Sequence, residues 1–172
     1  GVGAVELEEV IVTAQKRAQD AQDVALSITA VGPRNLELLN ISDPSRLELL
    51  VPGFTWGDGG VGGATWPSIR GINTPSQEIN LDPSIAFFVN GVYKSRTRQA
   101  ALGFVDVERV EVLRGPQGTL FGRNSTGGGI SLHTVSPSDE LGGSVSVDIG
   151  NYANRKITAA VNVPFSDTFQ GR

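Results

Sequence analysis

The chain has 172 residues, 22 of them glycine, one histidine, no cysteine and a formal net charge of −4 at pH 7. That length suits one ordinary domain and a little more. The absence of thiols excludes a disulfide scaffold, a thiolate metal site and a cysteine nucleophile; an acidic balance with no Lys/Arg cluster argues against a nucleic-acid partner; and plentiful Val, Ile, Leu and Phe exclude a disordered composition.

Residues 1–23 read as a flexible arm. It holds one β-prone island, Val10-Ile11-Val12-Thr13, between Glu8-Glu9 and a polar run. So short a strand buries too little to fold alone and would be ordered only against a partner strand. The folded region begins near Val24, with a strand through Val31. Pro33 to Asn40 reads as a short helix. Ser42-Asp43-Pro44 opens a second helix through Leu50, because Ser42 or Asp43 can cap it and Pro44 needs no N–H early in a helix. Pro52-Gly53 ends it.

Gly57 to Thr65 reads as a glycine-rich loop, Ser68 to Ile72 as a short strand, and Asn73 to Pro83 as a polar loop. Ile85 to Val89, Asn90-Gly91 and Val92 to Lys94 form a β-hairpin signal, since Asn-Gly suits the positive-φ positions of a type I′ turn. A short helix is expected over Arg98 to Phe104, a strand over Val110 to Leu113, a turn over Thr119 to Phe121 and a strand over Gly129 to Val135. From Ser144 to Ile149 and again from Ile157 to Phe165, apolar residues hold the odd positions. Such a period of two with one oily face is shown by a lipid-facing barrel strand and also by an edge hairpin of a soluble sheet.

No run of about 20 apolar residues occurs, so no transmembrane helix is expected. The N-terminus lacks the basic start and apolar run of a signal peptide, so an exported protein would be seen here in its mature form. Chemistry-bearing motifs are scarce. Gly122-Arg123-Asn124 fails the phosphate-loop pattern, and no dinucleotide-type glycine pattern occurs. The sole histidine, His133, cannot form a metal cluster alone and reads as a histidine on a strand. It has no flanking nucleophile motif. Glu108 and Glu111 alternate with Arg109 and read as ion-pair partners rather than paired acids.

Five motifs in order carry a resemblance. They are Glu8-Glu9-Val10-Ile11-Val12-Thr13-Ala14; Ile69-Arg70-Gly71-Ile72; Val89-Asn90-Gly91-Val92-Tyr93; Val105 to Pro116, ending Leu113-Arg114-Gly115-Pro116; and Leu120-Phe121-Gly122-Arg123-Asn124-Ser125-Thr126-Gly127-Gly128-Gly129-Ile130. The set resembles the plug domain of TonB-dependent outer-membrane transporters, over nearly the whole chain. Asn90 stands where that family usually has aspartate, and both residues suit the turn.

The resemblance implies an α+β plug: a small mixed four-stranded sheet with short helices and long loops. In the intact protein it is followed by a transmembrane β-barrel of about 22 strands. It divides the chain into an arm carrying a TonB box (1–23), the plug (24–140) and the first one or two barrel strands (141–172). It implies energy-coupled uptake of a scarce substrate, foremost a ferric siderophore or similar chelate, across the outer membrane of a Gram-negative bacterium. The arm faces the periplasm, and no catalysis, cofactor or resident metal is involved. Glu9, Val10, Ile11, Val12, Thr13 and Ala14 would pair as an added strand with TonB, which acts with ExbB and ExbD. Arg70, Glu108, Arg114 and Arg123 would contact the protein's own barrel. Trp56, Trp66, Gln77, Tyr93, Arg96 and Arg98 would face the substrate. Two alternatives stand beside this: a soluble periplasmic module using the plug fold without transport, and a transporter for a carbohydrate or aromatic compound.

Overall fold

The computed structural model describes residues 11–12, 19–20, 27–41, 43–58, 65–73, 83–95, 104–116, 118, 124–151, 155–166 and 169–172. The chain divides into two compact units, Gly1–His133 and Thr134–Arg172. The expected boundary stood a few residues later, at Glu140.

In the arm, β1 (Ile11–Val12) pairs antiparallel with β2 (Gln19–Asp20). The partner strand required by the short apolar island thus comes from the arm itself. Next come β3 (Ile28–Val31), the helix α1 (Pro33–Leu38) and a 3-10 helix (Pro44–Leu49). At six residues each, neither helix is stable by itself. Each is pinned by buried side chains: Leu36 from α1, and Pro44 and Leu47 from the 3-10 helix. Asp43 is the N-cap, its carboxylate accepting from the Ser45 N–H at 2.9 Å, as its place before Pro44 leads one to expect.

The following strands are β4 (Phe54–Asp58), β5 (Thr65–Ile69), β6 (Ile72–Asn73), β7 (Ile85–Val89), β8 (Val92–Lys94), β9 (Val107–Arg114) and β10 (Gly128–Thr134). One mixed sheet has the order β3-β9-β10-β7-β8, with β7 and β10 parallel and the β3–β9 and β7–β8 pairs antiparallel. It is the small mixed sheet that was expected, with the three-residue β8 folding back on β7 at its edge as the hairpin signal indicates. The second sheet, β4-β5-β6, is antiparallel.

Two local expectations are corrected. Ser68 to Ile72 is not one strand: β5 ends at Ile69, Arg70 and Gly71 form a two-residue turn with φ of 52° and 78°, and β6 returns. The dihedrals match those of Asn90 and Gly91, 49° and 77°, in the turn that was expected. Arginine in a left-handed conformation costs roughly 1 kcal/mol, and its N–H bonds the Gly53 carbonyl at 2.7 Å. Likewise, Gly57, Asp58 and Thr65 are strand residues rather than loop, with Gly57 opposite Trp66 and Asp58 opposite Thr65. Glycine makes that pairing possible, since a Cβ at Gly57 would stand 2.7 Å from the Trp66 indole nitrogen. Of the helix expected to end at Phe104, only Phe104 is described; it lies outside any helix and in the core. The turn expected at Thr119 to Phe121 lies outside the described residues.

The core follows from strand alternation. Val31, Val110, Val112, Ile85, Phe87, Ile130 and Leu132 bury one face of the large sheet against Leu36, Leu47, Val51, Phe54, Ile69 and Phe104. The alternate residues Glu111, Leu113, Ser131, Ala86 and Phe88 are also buried. A sheet covered on both faces explains why Ile85-Ala86-Phe87-Phe88 is a continuous apolar run.

The second unit contains β11 (Gly142–Ile149), β12 (Arg155–Ser166) and β13 (Phe169–Gly171), paired antiparallel in that order. Val145, Val147, Ile149, Ile157, Val161 and Phe165 are all exposed. Val147 faces Ile157 and Val145 faces Ala159 across the ladder, so the oily stripe read from the sequence lies on one side of this sheet.

Candidate functional site

Three regions carry the residues singled out by the sequence. In the arm, Ile11 and Val12 are engaged by backbone pairing with Asp20 and Gln19. Glu9, Val10, Thr13 and Ala14 lie outside the described residues.

The second region is Ser27, just ahead of β3. Its carbonyl accepts from the Arg114 backbone N–H at 2.9 Å, and its hydroxyl accepts from Nη2 of Arg70 at 3.2 Å. Two arginines 44 positions apart in sequence are therefore tied to one serine. The Arg114 Nε is buried and has no hydrogen-bond partner among the described residues. Nor does any described carboxylate lie within ion-pair reach of Arg70 or Arg114. Gly115, next in the chain, takes φ of 95° and bonds the Gly127 carbonyl at 3.1 Å, which fixes the strand end where Arg114 sits. A buried guanidinium nitrogen without an acceptor is a costly arrangement unless an anion is supplied. Arg123, expected alongside them, lies outside the described residues. Glu108 bonds within its own strand, to Arg109 at 3.4 Å.

The third region is a polar cluster on the second face of the large sheet. Glu111 is fully buried; its Oε1 lies 3.0 Å from Arg109 Nε and 3.3 Å from His133 Nε2. Ser131 Oγ is 3.1 Å from the same His133 nitrogen. Burial pushes the His133 pKa below its ordinary value; Glu111 opposes that shift, Arg109 adds to it and Glu108 opposes it. A serine–histidine–acid relay needs serine on one ring nitrogen and the acid on the other. Here both partners meet Nε2, so the cluster sets Arg109 and His133 against Oε1 of a buried carboxylate and lacks the geometry of that relay. Its alternating signature, Arg109-x-Glu111 and Ser131-x-His133, is visible in the sequence, yet nothing in the sequence shows that the two dipeptide steps share a face.

The aromatic candidates are distributed over two sheets. Trp56 packs partly buried against the core, 6.3 Å from the Phe54 ring. Trp66 lies across Gly57 on the same hairpin. Tyr93 is on β8, 5.7 Å from the Phe88 ring, and its hydroxyl accepts from Asn124 Nδ2 at 2.9 Å. Gln77, Arg96 and Arg98 lie outside the described residues. No group of three or more His, Asp or Glu side chains suited to a metal occurs among the described residues.

Known proteins share this sequence pattern and fold. Residues 20–129 match the family model for the TonB-dependent receptor plug domain. The pesticin receptor of Yersinia pestis is 27% identical over 158 residues, which cover 91% of this chain and 23% of the receptor. The vitamin B12 transporter BtuB of Vibrio vulnificus is 29% identical over 170 residues, covering 93% of this chain and 26% of the transporter. Among solved structures, the ferric yersiniabactin uptake receptor FyuA from Yersinia pestis superposes with a TM-score of 0.74 at 26% identity, over 83% of this chain and 22% of that receptor. The chain therefore spans about a quarter of the length of the relatives it matches.

Proposed function

Because the chain belongs to the TonB-dependent receptor plug domain family, we propose that it closes a β-barrel and gates energy-coupled uptake of a ferric siderophore or similar chelate. It is an outer-membrane protein of a Gram-negative bacterium. The observation that carries the transport reading is the join between its two units. A sheet buried on both faces runs on covalently into strands that expose Val145, Val147, Ile149, Ile157, Val161 and Phe165. Strands of that kind are favoured with an apolar surface against them, and a barrel wall facing lipid supplies one.

In this reading TonB, working with ExbB and ExbD, captures residues 9–14 as an added strand. Substrate binding on the outer side shifts the arm toward capture, and pulling remodels the plug. Arg70 and Arg114, gathered at Ser27, meet carboxylates of the surrounding barrel; Glu108 and Arg123 belong to the same contact surface. Trp56, Trp66, Gln77, Tyr93, Arg96 and Arg98 serve the substrate side. The iron-chelate assignment is supported by the likeness to a ferric yersiniabactin receptor, while the likeness to a vitamin B12 transporter defines the main competing cargo class.

Binding of a periplasmic TonB domain to the chain, with and without residues 8–14, tests the coupling step by calorimetry. Loss of binding on deletion is expected. Equal binding by both forms, or by neither, would remove the coupling assignment. Ferric chelates and vitamin B12 offered to the intact receptor then separate the cargo classes.

A further inference from the structure

Among the described residues of the second unit, the single buried one is polar: Asn162, at 2% exposure. Its side chain is wholly engaged. Oδ1 accepts from the Ser138 N–H at 2.9 Å; Nδ2 donates to the Ser138 carbonyl at 2.9 Å, to Ser138 Oγ at 3.0 Å and to the Glu140 carbonyl. An amide has one acceptor oxygen and two donor hydrogens, and here the oxygen and the nitrogen are both satisfied by one short segment of backbone.

The position of this clasp is informative. Asn162 pairs with Gly142 at the open end of the β11–β12 ladder, where β11 begins. Ser138 and Glu140 precede Gly142, beyond that last ladder pair. The chain leaving β10 at Thr134 must pass through them to reach β11. Tension that unravels the first unit from its N-terminus runs along the chain and arrives first at Ser138. A hairpin loaded at its open end gives way one rung at a time, so its first rung bears the whole load. Asn162 adds side-chain hydrogen bonds to Ser138 and Glu140 at that rung, one through Oδ1 and the rest through the two hydrogens of Nδ2, shared among three oxygens.

We propose that Asn162 is a mechanical stop: it fixes the point at which force-driven unravelling of the plug ends and the strands that follow are held. The proposal rests on the force-coupled reading above. It assigns a role to a residue outside those named above for substrate and for TonB.

The test is single-molecule pulling on the 172-residue chain, tethered at residues 1 and 172. Release of residues 1–137 extends the tether by about 45–50 nm, and a separate last step of about 12 nm, residues 138–172, follows. Asn162→Ala should merge the last step into the first. Asn162→Asp should do the same, because its second oxygen faces two carbonyls. A last step at unchanged force in both variants, or none in the parent chain, would overturn the stop. Hydrogen exchange keeps the result readable if the variant folds poorly. The Ser138 amide should exchange at least about tenfold faster in Asn162→Ala while amides of Val145 to Asp148 keep their protection. Equal loss along the ladder would mean a general folding role and would also overturn the proposal. Load applied through a bound TonB domain is a separate arm. If that attachment fails to hold, the TonB reading falls, and the covalent-handle result still decides the clasp.

Discussion

The two units bury their residues by opposite logic. In Gly1–His133 the apolar side chains are inside, gathered from three strand pairs and two short helices. In Thr134–Arg172 most large apolar side chains are outside and the one buried side chain among the described residues is an amide. The first arrangement is stable in water because the hydrophobic effect favours it. The second derives little from that effect within the chain, from half-buried Val163 and the Phe165–Phe169 contact, and relies mainly on backbone ladders and one polar clasp. A single chain with both is built for two solvents.

The comparison breaks most severely at Glu111. Its carboxylate is fully buried between Arg109 and His133. Glu111→Ala removes one of the two carboxylates that meet the largely buried Arg109 guanidinium and should destabilise the first unit by about 2–3 kcal/mol. Denaturant titration checks this; a loss below about 1 kcal/mol would mean the cluster is solvated and the face is not closed. Leu47→Ala should be of similar size, at about 2–5 kcal/mol, since Leu47 is completely enclosed.

A smaller effect comes from His133. Burial holds its folded pKa below the ordinary value of 6.5. As pH falls below about 6.5 the unfolded chain takes up a proton that the folded chain refuses. Stability at neutral pH is therefore lost progressively down to the folded pKa. His133→Gln should flatten that part of the stability–pH curve while the acid limb due to carboxylates persists. A steeper loss in the variant would reverse the sign assigned here.

How much of this was legible beforehand depended on whether the cause was local. The Asn90–Gly91 turn was legible because both residue types favour positive φ. The Arg70–Gly71 turn has nearly the same dihedrals and was missed, because arginine carries no such preference and is held there by the Gly53 carbonyl. The strands β7, β9 and β10 were legible from their β-branched and aromatic content, whereas β4 was hidden by Gly57 and Asp58, which read as loop. The second unit's outward stripe was legible from its period of two. Its clasp was not: the partners of Asn162 lie 22 and 24 positions away, and a lone asparagine on a strand carries no mark of burial. The same holds for the meeting of Arg70 and Arg114 at Ser27, which depends on where β3 places that serine.

The smallest predicted effect is the sharpest test of the contrast. Val147 is an apolar strand residue, as is Val112, yet it is 59% exposed while Val112 is fully enclosed. Val147→Ala in the chain in water should change stability by no more than about 0.5 kcal/mol, whereas Val112→Ala should cost clearly more, because it leaves a cavity in the core. A loss above about 1 kcal/mol at Val147, measured by the same titration, would show that something within the chain covers that face, and the two-solvent account would fail. In the intact membrane-embedded protein the order inverts for a charge: Val147→Arg meets hydrocarbon and should cost about 2–4 kcal/mol near the midplane. A side chain that is nearly silent in water and expensive in the bilayer is the energetic signature of a barrel wall, and no soluble edge hairpin would give it.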